Sequence, residues 1–300
     1  MLDNKKIEEL RKFLTVEQLP AMPHSALTVL QLDNDLTKIN INDLVCPIEA
    51  DPGLAAQVLK FLNSSYFGFQ SAISNVRHGI TLVGIRVVKN FVLWKAVFSL
   101  IPRNKFSGFD ITNLWQDSLR RAMFSRFLLM EVRKGDQELA FAAALLQDMA
   151  IPLLIKRSPQ EYGEVLAKIN DSPTRRLSTL EREKFGWTHA DAAGVLGKNW
   201  KLPEPLTDLM SNHLHLDENL ANLNEVFEKN PEQVVVSLSA LLPSTTRDVW
   251  LEKEHFMKYY SMIITTPLEH LIAKVDKEFE QYAVILQIAK PKRQLAEYLG

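Results

Sequence analysis

The residues around Asp148 are of the types that separate metal chemistry from simple binding. The sequence there is Leu145-Leu146-Gln147-Asp148-Met149, so a carboxylate follows an amide at the end of an apolar run. A histidine before Asp148 would offer a divalent metal a lone pair at little desolvation cost. The Gln147 amide is a poorer donor and accepts no proton near neutral pH. Asp148 alone could hold one corner of a metal, or it could accept hydrogen bonds at a helix end.

Composition and charge argue against some functions. The chain has 300 residues, 46% of them hydrophobic, which suggests one large or two ordinary domains with a sizeable core. Lysine plus arginine total 35 and aspartate plus glutamate total 36, which gives a net charge of −1. Because proteins that grip nucleic acid usually carry a basic excess, we do not expect that partner. One predicted helix carries local basic residues that we interpret as a solvated face: Arg120, Arg121, Arg126, Arg133 and Lys134.

The sequence predicts a soluble cytoplasmic protein without a membrane segment. Residues 1–6 lack the apolar core of a signal peptide. The most apolar stretch, 140–155, is interrupted by Gln147 and Asp148 and is too short to cross a bilayer. The single cysteine, Cys46, stands among apolar residues, and we expect it to be buried.

Helical spacing dominates the chain and predicts an all-α fold. Ile7, Leu10 and Leu14 recur on one helical face. The main strand-like run, 234–236, lies inside helical flanks. Long helices are predicted over 112–134, 136–147 and 267–289. Helix starts follow from capping residues or proline at Asp51-Pro52, Ser74, Ser158-Pro159, Ser178, Thr188 and Asn230-Pro231.

Several ordered stretches resemble one known domain family. They are Leu19-Pro20-Ala21-Met22-Pro23, the run from Asp51-Pro52-Gly53 to Asn63-Ser64-Ser65-Tyr66-Phe67-Gly68, and Ile73 to Ile80 with Gly84-Ile85-Arg86 and Asn90. Together they resemble the HDOD domain of bacterial signalling proteins, over about residues 16–242. The resemblance implies an all-helical relative of the HD phosphohydrolases, with a signalling or regulatory role and a hydrolytic site that is often incomplete.

The resemblance also assigns positions to the HD site. The first His of that pattern falls at Asp117 in Leu114-Trp115-Gln116-Asp117, and the His-Asp pair falls at Gln147 and Asp148. Two later His positions are matched by His189 and His213, and the final Asp falls near Ala240. The six positions of this vestigial site are therefore Asp117, Gln147, Asp148, His189, His213 and Ala240.

Too few donors are expected to survive there for metal-assisted hydrolysis, which needs a held ion to polarise a phosphoryl oxygen and activate water. We expect no metal and no other cofactor. If an ion binds, the resemblance gives Asp117, Asp148, His189 and His213 as its ligands. Alternatively, His189 is a polar residue in the first turn of a helix, and His213 is a partly exposed histidine.

A second group of family-signature residues could serve interaction or structure. Tyr66 and Phe67 could offer an aromatic patch to a partner. The favoured interpretation is structural: Asn63 caps a helix end, Tyr66 and Phe67 join two parts of the fold, and Gly68 supplies a left-handed turn. Arg86 and Asn90 lie one turn apart and could contact a ligand, or bond to Asp51 and to loop carbonyls.

We therefore predict three regions: an N-terminal helical subdomain (1–105), an HD-like helical bundle (106–245) and a C-terminal helical extension (246–300). The expected function is that of a non-catalytic regulatory module that binds a signalling protein or a small nucleotide. The alternative is a metal-dependent phosphohydrolase with a rearranged ligand set.

Overall fold

The fold is helical throughout, as predicted. The computed structural model describes residues 4–14, 22–32, 38–100, 109–171, 175–216, 222–286 and 288–300. Helices make up 72% of the chain, and these described residues form no strand. The helices are α1 (Asn4–Phe13), α2 (His24–Leu30), α3 (Ile41–Glu49), α4 (Pro52–Leu62), α5 (Val76–Val83), α6 (Ile85–Leu100), α7 (Ile111–Val132), α8 (Gln137–Leu146), α9 (Ala150–Arg157), α10 (Pro159–Asp171), α11 (Leu177–Phe185), α12 (His189–Asn199), α13 (Glu204–Asn212), α14 (Leu223–Lys229), α15 (Pro231–Ser239), α16 (Lys253–Ile263) and α17 (Leu268–Leu286), followed by a 3₁₀ helix (Leu295–Tyr298).

Two predicted features lie outside the described residues. These are residues 19–21 of the first signature stretch and the boundary between residues 105 and 106. The division into three regions stays a prediction. Residues 234–236 lie inside α15, so the strand-like run is helical.

Short polar side chains start the N-terminal helices. Asp51 accepts a hydrogen bond from the backbone N–H of Leu54 at 3.0 Å, as predicted for the start of α4. The predicted cap at Ser74 is wrong, because α5 begins one residue later and Asn75 caps it. Gly84, with φ of 94°, separates α5 from α6.

Cys46 is exposed, so its predicted burial is wrong. The physical reason is the orientation of α3. That helix turns Leu44, Val45 and Ile48 into the core and leaves Cys46 on the opposite side.

The contacts of the turn after α4 support the favoured, structural interpretation of its residues. The Asn63 amide donates to the carbonyls of Leu59 at 2.8 Å and Ile73 at 2.7 Å, and its oxygen accepts from the N–H of Ile73 at 2.6 Å. Gly68 has φ of 61°, the left-handed conformation that glycine adopts without strain. Asn63 therefore closes the loop between α4 and α5.

The aromatic residues of this turn join the N-terminal helices to α17. The hydroxyl of Tyr66 donates to Glu278, and its ring lies 4.7 Å from that of Tyr282. Phe67 meets Phe61 edge-on at 5.1 Å. Such pairs stabilise a fold beyond the area they bury.

Arg86 and Asn90 face the bundle and do not reach Asp51. Arg86 lies 3.6 Å from the carboxylate of Asp136, and the Asn90 amide donates to Glu138 at 2.5 Å. Their predicted bonds to Asp51 are therefore wrong, and both residues attach α6 to the start of α8.

The basic residues of α7 are mostly not a solvated face, which corrects the prediction for Arg120, Arg121 and Arg126. Arg120 is 1% exposed and donates to the carbonyl of Arg293. Arg126 is buried and bonded to Glu138 at 2.7 Å. Because α7 packs against α8, α15 and α17, no broad side of it faces water.

The apolar stretch 137–157 is core. By length and composition alone it could cross a membrane, but 89% of its most apolar window is buried inside the fold. A turn at residues 147–149 divides it into α8 and α9. This division places Asp148 at a break in buried helix.

The C-terminal helices pack on the bundle. α17 lies along α7, and Gln116 donates to the carbonyl of Ala289 at 2.7 Å. Asp276 holds the backbone N–H groups of Leu295 and Ala296, each at 2.9 Å, so its carboxylate fixes the last turn. The extension thereby covers one long side of α7.

Candidate metal centre and its cavity

Asp148, His189 and His213 meet at one buried point. Asp148 lies in the turn after α8, His189 is the first residue of α12, and His213 directly follows α13. The two Nε2 atoms are 3.3 Å apart, and Oδ1 of Asp148 lies 3.4 Å from that of His189 and 3.6 Å from that of His213. The alternative that His213 is partly exposed is wrong, since it is 1% exposed.

Local structure aims both imidazoles at Asp148. Nδ1 of His189 lies 2.6 Å from the carboxylate of Glu181, which also accepts from the His189 backbone N–H at 2.9 Å. Nδ1 of His213 lies 2.7 Å from the carbonyl of Met210. These bonds fix the ring orientations and leave each Nε2 facing the shared point.

Glu181 is a site residue that the sequence analysis did not identify. The predicted helix start at Ser178 is wrong, because α11 begins at Leu177 after Arg176 and no side chain caps it. Glu181 is fully buried and also accepts a hydrogen bond from the hydroxyl of Tyr162. One signal was available, because Leu177, Leu180 and Glu181 share a helical face at i, i+3 and i+4.

The predicted capping box at Thr188 is confirmed and places His189. The Thr188 side chain accepts a hydrogen bond from the backbone N–H of Asp191. In return, the carboxylate of Asp191 accepts one from the backbone N–H of Thr188 at 2.8 Å. His189 therefore lies in the first turn of a helix, as the alternative interpretation predicted. It also belongs to the cluster that it forms with Asp148 and His213.

The charges of the cluster are strongly coupled. Burial acts against the ionised carboxylate, but the Arg121 guanidinium and the two imidazoles outweigh it and hold the pKa of Asp148 well below its usual range. Burial also opposes a charged His189, yet the carboxylates of Glu181 and Asp148 raise its pKa to about 10. Burial and the neighbouring His189 lower the pKa of His213 to about 3.

The other three predicted positions contribute no donor to this point. Asp117 accepts hydrogen bonds from the Ser244 hydroxyl at 2.6 Å and from the backbone N–H of Thr245 at 2.8 Å. Gln147 is fully buried, and its amide finds no hydrogen-bond partner among the described residues. Ala240 lines the cavity without a polar side chain.

Arg121 is a site residue that the sequence analysis did not identify. Its guanidinium bonds to Oδ2 of Asp148, whereas Oδ1 is the oxygen that contacts the imidazoles. It comes four residues after Asp117 on α7, so both side chains point to the same side of that helix.

The cluster opens into a cavity of about 290 Å³. Apolar side chains form much of its wall, and further arginines and the carboxylate of Glu252 line it as well. Its wall includes Ile151, Leu166, Leu177, Trp250, Arg176 and Arg247. A mostly apolar cleft with a few convergent polar groups is typical of a small-molecule site.

The three donors fit a divalent metal. Zinc held at about 2.0–2.1 Å in tetrahedral geometry separates its ligand atoms by about 3.3–3.4 Å. The observed separations of 3.3, 3.4 and 3.6 Å lie at or just above that spacing. Two imidazoles and one carboxylate with open positions also match sites for non-haem iron. The structure thus brings together three of the four residues predicted as ligands if an ion binds, and Asp117 is not among them.

An all-helical bundle with two buried imidazoles and a carboxylate lining its cavity has the features of an HD-like helical domain. The family model of the HDOD domain matches residues 19–216. The chain belongs to the HDOD domain family, which confirms the resemblance inferred from its motifs.

A relative from Treponema pallidum (strain Nichols) is 23% identical over 207 residues, which are 67% of this chain. The matched part is only 38% of that protein, so this chain spans well under half of its length.

Solved structures with the same fold come from several bacteria. A proposed phosphohydrolase from Shewanella amazonensis SB2B is 17% identical with a TM-score of 0.70, covering 95% of this chain and 98% of that one. A proposed signal transduction protein from Marinobacter aquaeolei VT8 is 22% identical with a TM-score of 0.71, covering 94% and 63%. An HDOD domain protein from Geobacter sulfurreducens is 17% identical with a TM-score of 0.65, covering 98% and 92%. At these identities the likeness shows the shared fold.

Proposed function

We propose that this chain is a non-catalytic regulatory module of the HDOD type that binds a small phosphate-bearing ligand, such as a nucleotide, in its cavity. We further propose that a divalent metal at Asp148, His189 and His213 helps to hold it, which departs from the expectation of no metal. The convergence of these three donors on the wall of the cavity carries the proposal. A divalent ion bound there supplies an attractive charge for phosphoryl oxygens.

The positions that have lost their donors support binding without turnover. Ala240 offers no ligand atom, and Gln147 does not line the cavity. Asp117 already accepts two hydrogen bonds from Ser244 and Thr245, so it is not poised to take a proton from water.

Burial of the cluster favours a small molecule over a protein partner. Asp148, His189 and His213 are all more than nine-tenths buried, at 6%, 5% and 1% exposure. A nucleotide-sized ligand reaches such groups through the cavity, whereas a protein surface meets only its mouth. A role inside the cytoplasm of a bacterial cell belongs to the same proposal.

Metal and ligand binding by the purified full chain test this proposal. We expect about one equivalent of Mn²⁺ or Zn²⁺ by equilibrium dialysis with elemental analysis, and at least a tenfold weaker affinity in Asp148→Ala. Asp208→Ala, an exposed carboxylate on α13, is the matched control and should bind like the wild type. Adenine and guanine nucleotides should raise the thermal midpoint of the metal-loaded wild type only. Absence of both effects would contradict the proposal.

The layout of the cluster favours one second candidate, a metal-dependent phosphohydrolase. Catalytic metal sites commonly have three protein ligands and an open position, as here. Chromogenic phosphomonoesters and phosphodiesters, assayed with Mn²⁺ or Zn²⁺, separate the two functions. Turnover more than tenfold above that of Asp148→Ala would establish the enzyme, and equal rates would support the binding module.

A further inference from the structure

We propose that Arg121 is an internal cation that weakens metal binding at Asp148 and couples it to the binding of an anion. The inference rests on the proposed metal site and names the regulation of that site. Its basis is that the buried carboxylate of Asp148 contacts both the Arg121 guanidinium and the two imidazoles.

The contacts of Asp148 divide between its two oxygens. Oδ2 takes the guanidinium of Arg121, and Oδ1 faces the Nε2 atoms of His189 and His213. Both side chains of the ion pair are largely buried. Because charges interact strongly where water is excluded, a cation on Oδ2 lowers the attraction of the same carboxylate for a metal on Oδ1.

The charges around the cluster do not balance once a divalent ion has displaced the proton from Nε2 of His189. Two carboxylates touch the cluster, Asp148 itself and Glu181 behind His189, and one guanidinium does. The carboxylates exceed the guanidinium by one negative charge, so a divalent ion leaves one positive charge in excess. A buried excess charge is costly unless it is paired. An anion in the cavity provides that pairing.

Arg121 is also suited to meet the anion. It lines the cavity, and a guanidinium offers a planar fork of donors that matches a phosphate or carboxylate group. Metal and anion should therefore raise each other's affinity by the same factor, because coupling between two sites is reciprocal. Without the charge of Arg121 the metal-loaded cluster is balanced, and the need for an anion disappears.

The test measures Mn²⁺ affinity by equilibrium dialysis of the full chain, with and without inorganic phosphate. In the wild type we expect phosphate to tighten Mn²⁺ binding at least threefold. Arg121→Gln keeps a hydrogen-bond donor but removes the charge. This variant should bind Mn²⁺ at least tenfold more tightly without phosphate and show no phosphate effect. Arg121→Lys, which keeps the charge, should resemble the wild type.

Arg11→Met is the matched control, because Arg11 pairs with Glu8 on the surface of α1 and does not line the cavity. It should change neither affinity nor coupling. Circular dichroism checks folding of each variant, and Arg121→Met replaces Arg121→Gln if the latter unfolds.

The outcomes separate this inference from the proposed function. Equal Mn²⁺ affinity in wild type and Arg121→Gln, or no phosphate effect in the wild type, overturns the inference and leaves the metal site standing. Binding by Arg121→Gln but not by wild type supports the inference and removes metal from the proposed function. No binding by either protein overturns both.

Discussion

Asp117 and Asp148 are two buried carboxylates that line one cavity, yet their surroundings give them opposite properties. Asp148 faces a guanidinium and two imidazoles, and these outweigh its burial to hold its pKa low. Asp117 is held by Ser244 and the backbone of Thr245, and burial outweighs these bonds and Arg121 to raise its pKa. Asp148 is a charged group that can bind a cation. Asp117 instead anchors the segment that follows α15 through hydrogen bonds.

The contrast shows that position in the hydrolytic pattern does not decide the role of a carboxylate. Asp117 occupies the place of a metal-binding histidine, but its oxygens are used by the segment that leads into the C-terminal extension. Asp148 can still act as a metal ligand because its neighbours are a guanidinium and two imidazoles whose Nε2 atoms can bind the same metal. The direct bonding partners distinguish the two, a hydroxyl and a backbone N–H for Asp117 and a guanidinium for Asp148. Three variants test that distinction.

The largest effect is expected from Glu181→Gln, which leaves every proposed ligand in place. Loss of the carboxylate weakens the hold on Nδ1 of His189 and the basicity of that imidazole. Partners of metal-bound histidines typically contribute about 10–100-fold to metal affinity, and we expect a loss in that range. Equilibrium dialysis with Zn²⁺ measures it. An affinity within twofold of the wild type would mean that Glu181 only stabilises the fold.

Asp117→Asn should leave metal affinity unchanged and alter the pH dependence of stability. The folded state raises the pKa of Asp117, so it holds this proton more tightly than the unfolded chain does. Stability then falls as pH rises from about 4 through the raised pKa, and the variant escapes this loss. We expect the variant to gain free energy of unfolding relative to wild type at neutral pH and little at about pH 4.

Urea titrations of wild type and Asp117→Asn across that pH range give the comparison. A variant less stable than wild type at neutral pH would show that the hydrogen bonds from Ser244 and Thr245 outweigh the cost of burying the charge.

The smallest effect is expected from Gln147→Leu, at the residue beside Asp148. The buried amide has no partner among the described residues, so an apolar side chain of similar size should be neutral or stabilising by up to about 1 kcal/mol. Because Gln147 does not line the cavity, metal affinity should stay within twofold. Urea unfolding and dialysis measure both quantities. A clear loss of metal affinity would place Gln147 among the residues that hold the site.

Helix starts and the turn after α4 were largely predictable, since they depend on neighbours in sequence. Asp51-Pro52 and the Thr188 box act over a few residues, and the structure has them as predicted. Errors arose where burial decides. Arg120 was placed on a solvated face, but packing of α7 against the rest of the fold buries it.

The sequence predicted which residues could form the candidate site better than it predicted their contacts. Spacing and resemblance indicated Asp148, His189 and His213, but the partners Glu181 and Arg121 were missed. Each lies on a helix that does not include the group it contacts, Arg121 27 residues before Asp148 and Glu181 eight residues before His189. Either would be an ordinary surface residue on an isolated helix.

The sequence alone determined the helical fold, the family and which donor types are present, because periodicity, capping and residue chemistry are local properties. Only the tertiary structure decided that Asp148 faces two imidazoles while Asp117 accepts hydrogen bonds from the segment after α15. Electrostatic environment depends on distances between chain segments far apart in sequence, and folding sets those distances.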